Sequence, residues 1–190
     1  MTKKIVILAS GGGSNAEKLM QHFQNSSCAE VALVACNRKE AGVYARAQAF
    51  GIESMQLTKS DFYESDRFEK LLSLRQIDFV VLAGFLWFIP ETFIRAFEGR
   101  IVNIHPSLLP KFGGKGMFGH HVHEAVKEAG ETQSGMTIHW VNEKYDEGGI
   151  IFQDKVDLDP TDSSDDIGRK VLELEHKHFA RVVDELLCSK

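Results

Sequence analysis

Short apolar runs rich in valine and isoleucine recur through the first half of the chain, each separated from the next by a longer amphipathic segment. Few folds accept that alternation. Residues 5–9, 31–36 and 79–82 (IVILA, VALVAC and FVVL) have the length and β-branched content of buried strands. Between them, residues 16–24, 43–50 and 61–74 repeat apolar side chains at helical spacing. Leu19, Met20 and Phe23 share one face of the first, and Phe62, Phe68, Leu71 and Leu72 one face of the third. A strand followed by a helix long enough to recross the sheet makes a right-handed βαβ unit. The expectation is therefore an α/β fold with a Rossmann-like, doubly wound, mostly parallel sheet. In such sheets ligands collect beyond the C-terminal ends of the strands.

A further strand at 101–104 runs directly into the polar, proline-punctuated stretch His105 to Pro110, which puts that stretch on the ligand-binding edge. The second half changes rhythm. Residues 136–141 and 150–158 read as a C-terminal antiparallel strand pair joined by the turn-rich segment 142–149. A terminal helix follows, with Asp162 and Ser163 as N-cap candidates and Ile167, Val171, Phe179, Val182 and Leu186 as its apolar stripe. With 190 residues and no linker, repeat or low-complexity tract, residues 1–190 are expected to form a single domain.

Composition excludes several classes of partner. A net charge of -5 without any Lys/Arg cluster argues against nucleic acid. The N-terminal apolar run is too short for a signal sequence or a membrane span, so a cytoplasmic protein is expected, as a monomer or homodimer. Cys28, Cys36 and Cys188 show none of the close pairing that zinc or redox motifs use, and are read as free thiols in a reducing compartment.

Three segments carry chemistry. Gly11-Gly12-Gly13-Ser14-Asn15 joins the first strand to the first helix, where bare backbone N–H groups beside a positive helix end hold anions. Gly11, Gly13 and Ala16 also fit the loose dinucleotide pattern, but the second strand ends Cys36-Asn37-Arg38 rather than on the acidic residue an NAD ribose prefers. Arg38 leaves NADP open, and a plain structural turn is the remaining alternative; a monophosphate is preferred. In Asn103-Ile104-His105, the amide and the imidazole point the same way from an extended backbone, so an oxyanion donor and a proton carrier share one small volume. A hydrogen-bonded core Asn with a capping His is the bland alternative. Tyr145-Asp146-Glu147-Gly148-Gly149, on spacing alone, is an ordinary turn.

Taken together, NIHPSLLP, GGGSN and YDEGG resemble the phosphoribosylglycinamide formyltransferase family over nearly the whole chain. HPSLLP-type segments also occur in related formyl-transfer enzymes, and the GGGSN loop narrows the choice. The resemblance implies that Asn103, His105 and Asp146 are catalytic, Asp146 pairing with His105 and Glu147 being less suited. It also implies that Gly13, Ser14 and Asn15 hold the phosphate of glycinamide ribonucleotide, and that Glu175 contacts the amine or ribose side. By the same resemblance, Leu86, Trp87, Phe88 and Ile89 embrace the pterin of the folate, largely through main-chain groups, while Asn142, Glu143, Lys144 and Tyr145 line the rest of its pocket. Many relatives carry Arg at the position of Trp87.

The implied reaction is transfer of a formyl group from 10-formyltetrahydrofolate, as co-substrate, to the amine of glycinamide ribonucleotide in purine biosynthesis. In it, Asn103 and protonated His105 stabilise the oxyanion, and His105 with Asp146 manages the proton. No metal is expected. The alternatives are a formyltransferase for another amine, such as an amino sugar nucleotide, and a nonenzymatic dinucleotide-binding module. The stretch GGKGMFG at 113–119 reads as a mobile cover whose residues receive no role, and His120, His121 and His123 lack the spacing of a metal site.

Overall fold

The computed structural model describes residues 2–188. In chain order the elements are β1 (Lys3–Ala9), α1 (Ser14–Phe23), β2 (Ala29–Cys36), α2 (Gly42–Ala49), β3 (Ser54–Gln56), α3 (Lys59–Tyr63), α4 (Arg67–Leu74) and β4 (Phe79–Leu82). They continue with α5 (Glu91–Ala96), β5 (Ile101–His105), α6 (His120–Glu128), β6 (Gln133–Trp140), β7 (Ile150–Asp157) and α7 (Ser164–Cys188). The seven-stranded sheet has the order β3-β2-β1-β4-β5-β6-β7. The β1–β2, β1–β4 and β2–β3 ladders are parallel, and β5–β6 and β6–β7 antiparallel. This is the α/β class that the sequence predicts, with the expected terminal helix. Two compact units make up the chain: residues to Ile101 together with those from Ala180, and Val102–Phe179.

In the first unit β1 pairs on both sides, so its apolar run needs no alternation and Ile5, Val6, Ile7, Leu8 and Ala9 are all fully buried. Leu19, Met20 and Phe23 of α1 are buried as their spacing predicts. Phe62 stands edge-on to Phe85 and Phe93 at ring distances of 5.7 and 5.3 Å. Phe62 and Phe93 are buried, and each such ring is worth roughly 1.5–3 kcal/mol of transfer free energy.

The single helix expected over 61–74 is instead two. Thr58 Oγ1 accepts from Asp61 N at 3.1 Å and starts α3 early, while Ser65 Oγ donates to Ser60 O at 2.9 Å and closes it, so the polar Glu64-Ser65-Asp66 step restarts the chain as α4. The short edge strand β3 and the short α5 have too little periodicity to be read from sequence.

One reading of the cysteines is overturned. Cys36 is free and buried, but Cys28 and Cys188 form a disulfide, with Cα atoms 5.9 Å apart across a sequence separation of 160. Sequence spacing carries no trace of a pair made when a terminal helix returns to the start of β2.

In the second unit, β5 and β6 align Asn103 with His139 and His105 with Thr137. Val122 and Val126 of α6 and Ile167, Val171 and Phe179 of α7 are buried. At the start of α7, Ser163 Oγ accepts from Asp166 N at 3.1 Å and Asp166 Oδ2 accepts from Ser163 N at 3.0 Å, a reciprocal cap that satisfies two backbone donors. Asp166 is held down to about 2, first by the Ser163 hydroxyl and N–H, then by Arg169.

Candidate active site

Within the second unit the pleat of β5 projects Asn103 and His105 to one face, and β6 brings His139 opposite Asn103. Asn103 Nδ2 lies 3.1 Å from His139 Nε2. His139 Nδ1 lies 2.9 Å from the Trp140 carbonyl, a contact that calls for the proton on Nδ1 and leaves Nε2 to accept the Asn103 amide in the neutral ring. The other amide N–H of Asn103 is then available for an oxygen anion.

Asp146 arrives from the loop after β6 with a left-handed backbone, φ 53°. Its Oδ2 stands 3.5 Å from His105 Nδ1 and its Oδ1 3.5 Å from His139 Nε2, so one carboxylate faces two imidazoles. The Gly114 N–H donates to Asp146 Oδ2 at 2.9 Å. Glycine is needed at 148, where a Cβ would overlap the Trp140 carbonyl oxygen, whereas a Cβ at Gly113 would come within 2.5 Å of Leu109 Cδ2, a side-chain end that can shift. The YDEGG spacing thus fixes where the carboxylate sits, and the glycine-rich stretch read as a mobile cover supplies a donor to it.

Both histidines are buried, His105 3% and His139 2% exposed. His105 Nε2 lies 2.8 Å from the Phe112 carbonyl, to which it donates. Burial pushes His105 below its ordinary value of 6.5; the Asp146 charge and the Phe112 carbonyl pull it up without prevailing, and His139 pushes it further down. The pairing with Asp146 expected from the sequence does favour the imidazolium, but the protonated His105 expected with it does not follow. A buried imidazole loses hydration of its charged form, and here that loss dominates. Burial raises Asp146, but His139, the charge of His105 and the Gly114 N–H outweigh it, and the carboxyl lies below its ordinary value. The resting centre is an ionised carboxylate beside a neutral His105.

His139 is the residue that sequence reasoning missed. The available signal was a polar ring at 139 sharing a strand face with Thr137 in an otherwise apolar run.

The first unit holds the glycine loop. Gly13 is the N-cap of α1 at φ 76°, and a Cβ there would lie 2.6 Å from Val43 Cγ2, so only glycine fits. Its carbonyl accepts from Glu17 N at 2.8 Å, and no side chain caps the helix. Arg46 braces the loop by donating to the Gly12 carbonyl at 2.8 Å and pairing with Glu17. Ser14 and Asn15 open α1 at this end.

Leu86 to Ile89 leave β4 in the same unit. Leu86 N donates to Ser10 Oγ at 2.8 Å, and Tyr63 Oη donates to the Phe88 carbonyl at 2.8 Å. Leu86 and Phe88 are 41% and 38% exposed, Ile89 is buried, and the Trp87 ring packs on Phe62 and Tyr63 at 6.2 and 5.6 Å. The Trp87 side chain thus serves the aromatic core.

In the second unit Asn142, Glu143, Lys144 and Tyr145 are exposed, with Lys144 N turned onto Asn142 Oδ1 at 3.0 Å. Glu175 is buried on α7, on the stripe of Val171 and Phe179. His120 faces Glu124 and Asp165, His121 faces Glu124, and His123 lies under Gly168.

Comparison with known proteins is consistent across sequence and structure. A family model described as formyl transferase matches residues 3–183. The chloroplastic phosphoribosylglycinamide formyltransferase of Arabidopsis thaliana is 41% identical over 187 residues, which cover 95% of this chain and 64% of the relative. The phosphoribosylglycinamide formyltransferase of Bacillus subtilis (strain 168) is 35% identical over 97% of this chain and 95% of its own length. The chain therefore spans somewhat under two thirds of the plant relatives, 64% and 62%, and nearly all of the bacterial one. Among solved structures, the phosphoribosylglycinamide formyltransferase of Anaplasma phagocytophilum superposes with a TM-score of 0.91 at 30% identity, covering 100% of this chain and 89% of that one.

Proposed function

The chain belongs to the formyl transferase family, and we propose that it transfers the formyl group of 10-formyltetrahydrofolate to the primary amine of glycinamide ribonucleotide, a step of purine biosynthesis. The observation that carries the reading is the Asn103, His105 and Asp146 constellation in the second unit, completed by His139.

In this reading the acceptor amine attacks the formyl carbon, a new C–N bond forms, and the carbonyl electrons move to oxygen. The free N–H of Asn103 stabilises that oxyanion. Neutral His105 takes the proton released by the attacking nitrogen, and Asp146 stabilises the resulting imidazolium. As the oxyanion collapses, the bond to the folate nitrogen breaks and His105 returns its proton to that nitrogen, directly or through water. The resting protonation differs from the expectation of a protonated His105, and the net reaction leaves His105 as it began. No step calls on a metal.

The proposal extends to the binding residues. Gly13, Ser14 and Asn15 hold the acceptor phosphate at the uncapped start of α1, and Glu175 serves the amine or ribose side. Leu86, Phe88 and Ile89, with the main chain of Trp87, and Asn142 to Tyr145 contact the folate. Residues 1–190 act as one formyltransferase domain, as monomer or homodimer. Among the described residues no helix is long and apolar enough to cross a membrane. Cytoplasm remains the proposed compartment, where the prevailing redox poise keeps most thiols reduced.

Consumption of 10-formyltetrahydrofolate in the presence of glycinamide ribonucleotide, an amino sugar nucleotide or no acceptor tests the reading. Turnover with the ribonucleotide alone is expected. Preference for the amino sugar nucleotide would move the enzyme within the family, and nicotinamide dinucleotide binding without turnover would select the nonenzymatic alternative.

A further inference from the structure

A second cluster of donor atoms, in the first unit, takes no part in the transfer chemistry above. Asp184 and Cys188 stand four residues apart on α7, the spacing that puts both side chains on one helix face, and Cys188 Sγ lies 2.9 Å from Asp184 Oδ1. Cys28 reaches the same point from the turn ahead of β2. Its N–H donates to Ser26 Oγ at 3.3 Å and its carbonyl accepts from Lys3 N at 2.7 Å, so backbone contacts set its place. One ligand atom from each of Cys28, Asp184 and Cys188 lies within 4.8 Å of the other two. His22, in the last turn of α1, puts Nε2 3.4 Å from the remaining oxygen, Asp184 Oδ2.

We infer that in the dithiol form of the chain Cys28, Asp184 and Cys188 bind one divalent ion of the zinc class, with His22 fixing the Asp184 carboxylate through its second oxygen. Two thiolates and a carboxylate so close together repel one another, and either a shared cation or oxidation to the disulfide relieves that repulsion. Sulfur donors with one carboxylate oxygen suit Zn²⁺, and three protein ligands leave the fourth tetrahedral position to water. Hydrogen bonding of a ligating carboxylate from outside is the usual support of such a ligand, which gives His22 its role. Zn–S bonds of about 2.3 Å spread two sulfurs to roughly 3.8 Å. Side-chain rotation supplies that span with the Cα atoms 5.9 Å apart. Cys28, Asp184 and Cys188 are only partly buried, so an ion has a path in.

The two states are exclusive and the passage between them balances. An external dithiol delivers two electrons and two protons to the Cys28–Cys188 bond and becomes a disulfide itself. The ion then displaces both thiol protons to solvent. Either state ties the last turn of α7 to the start of β2.

The test is titration of the full chain with Co²⁺, reduced with a phosphine or left oxidised, followed by Zn²⁺ competition. Reduced protein is expected to take up one Co²⁺ with thiolate-to-cobalt charge-transfer absorption and tetrahedral d–d absorption, both abolished by Zn²⁺; oxidised protein is expected to show neither. Asp184→Asn should weaken binding by about tenfold or more. The doubly substituted chain, Cys28→Ser with Cys188→Ser, should lose the charge-transfer absorption although it retains Cys36. Circular dichroism reports whether each variant folds, and the reduced-against-oxidised comparison needs no substitution. Absence of the absorption in reduced protein, or its persistence in the double variant, overturns the assignment.

Discussion

Asp146 Oδ2 stands 3.5 Å from His105 Nδ1 inside a unit where His105 is 3% exposed, and burial rather than this carboxylate decides the direction in which the imidazole shifts. A pH profile follows with a definite sign. The neutral base is present above the folded pKa of His105, which lies below 6.5, so the acid limb of kcat/KM is expected below that value. Asp146→Asn removes an influence that raises the pKa, and should shift the limb further toward acid. An acid limb that moved toward neutral pH in this variant would show that Asp146 does not act on His105.

His139 offers a second measurement. Its Nε2 accepts the Asn103 amide and stands 3.5 Å from Asp146 Oδ1, so it acts through other groups as a positioning residue. His139→Ala should lower kcat by roughly tenfold to a hundredfold, the range typical of lost support around a reacting group, and leave both KM values within a few fold. His139→Gln, which keeps an amide near both partners, should recover part of the loss. Equal loss in both variants, with KM raised, would mean that the ring is a packing element.

The glycine loop is tested through Gly13. At φ 76° and facing Val43, the position strains any side chain. Gly13→Ala should raise the ribonucleotide KM well above its effect on the folate KM, and narrow the preference for a phosphorylated over a dephosphorylated acceptor. Steady-state kinetics with each substrate varied in turn separates this from a general loss of stability, which would affect both alike.

The fold was legible where period and burial agree. IVILA, VALVAC and FVVL became β1, β2 and β4, because central parallel strands are apolar on both faces. Local capping hid the break between α3 and α4, since Ser65 and Thr58 act through hydrogen bonds that apolar spacing cannot register. The site was legible in part for a similar reason. Asn103 and His105 lie two apart on one strand and share a face by geometry, whereas Asp146 has the look of a turn until the resemblance gives it a role. His139 is defined only by strand register, and the Cys28–Cys188 pair only by the return of a terminal helix.

The transfer centre is tested most directly by a double-mutant cycle on kcat with His105→Ala, Asp146→Asn and the two combined. Each single substitution removes part of one proton-handling unit and is expected to lower kcat by about a hundredfold or more, with ribonucleotide affinity nearly intact. Because the carboxylate works by stabilising the imidazolium, its loss should matter little once the imidazole is gone, and the combined variant should be little slower than His105→Ala alone. Losses that simply multiply, or an Asp146→Asn enzyme as fast as the parent, would contradict the pairing of Asp146 with His105.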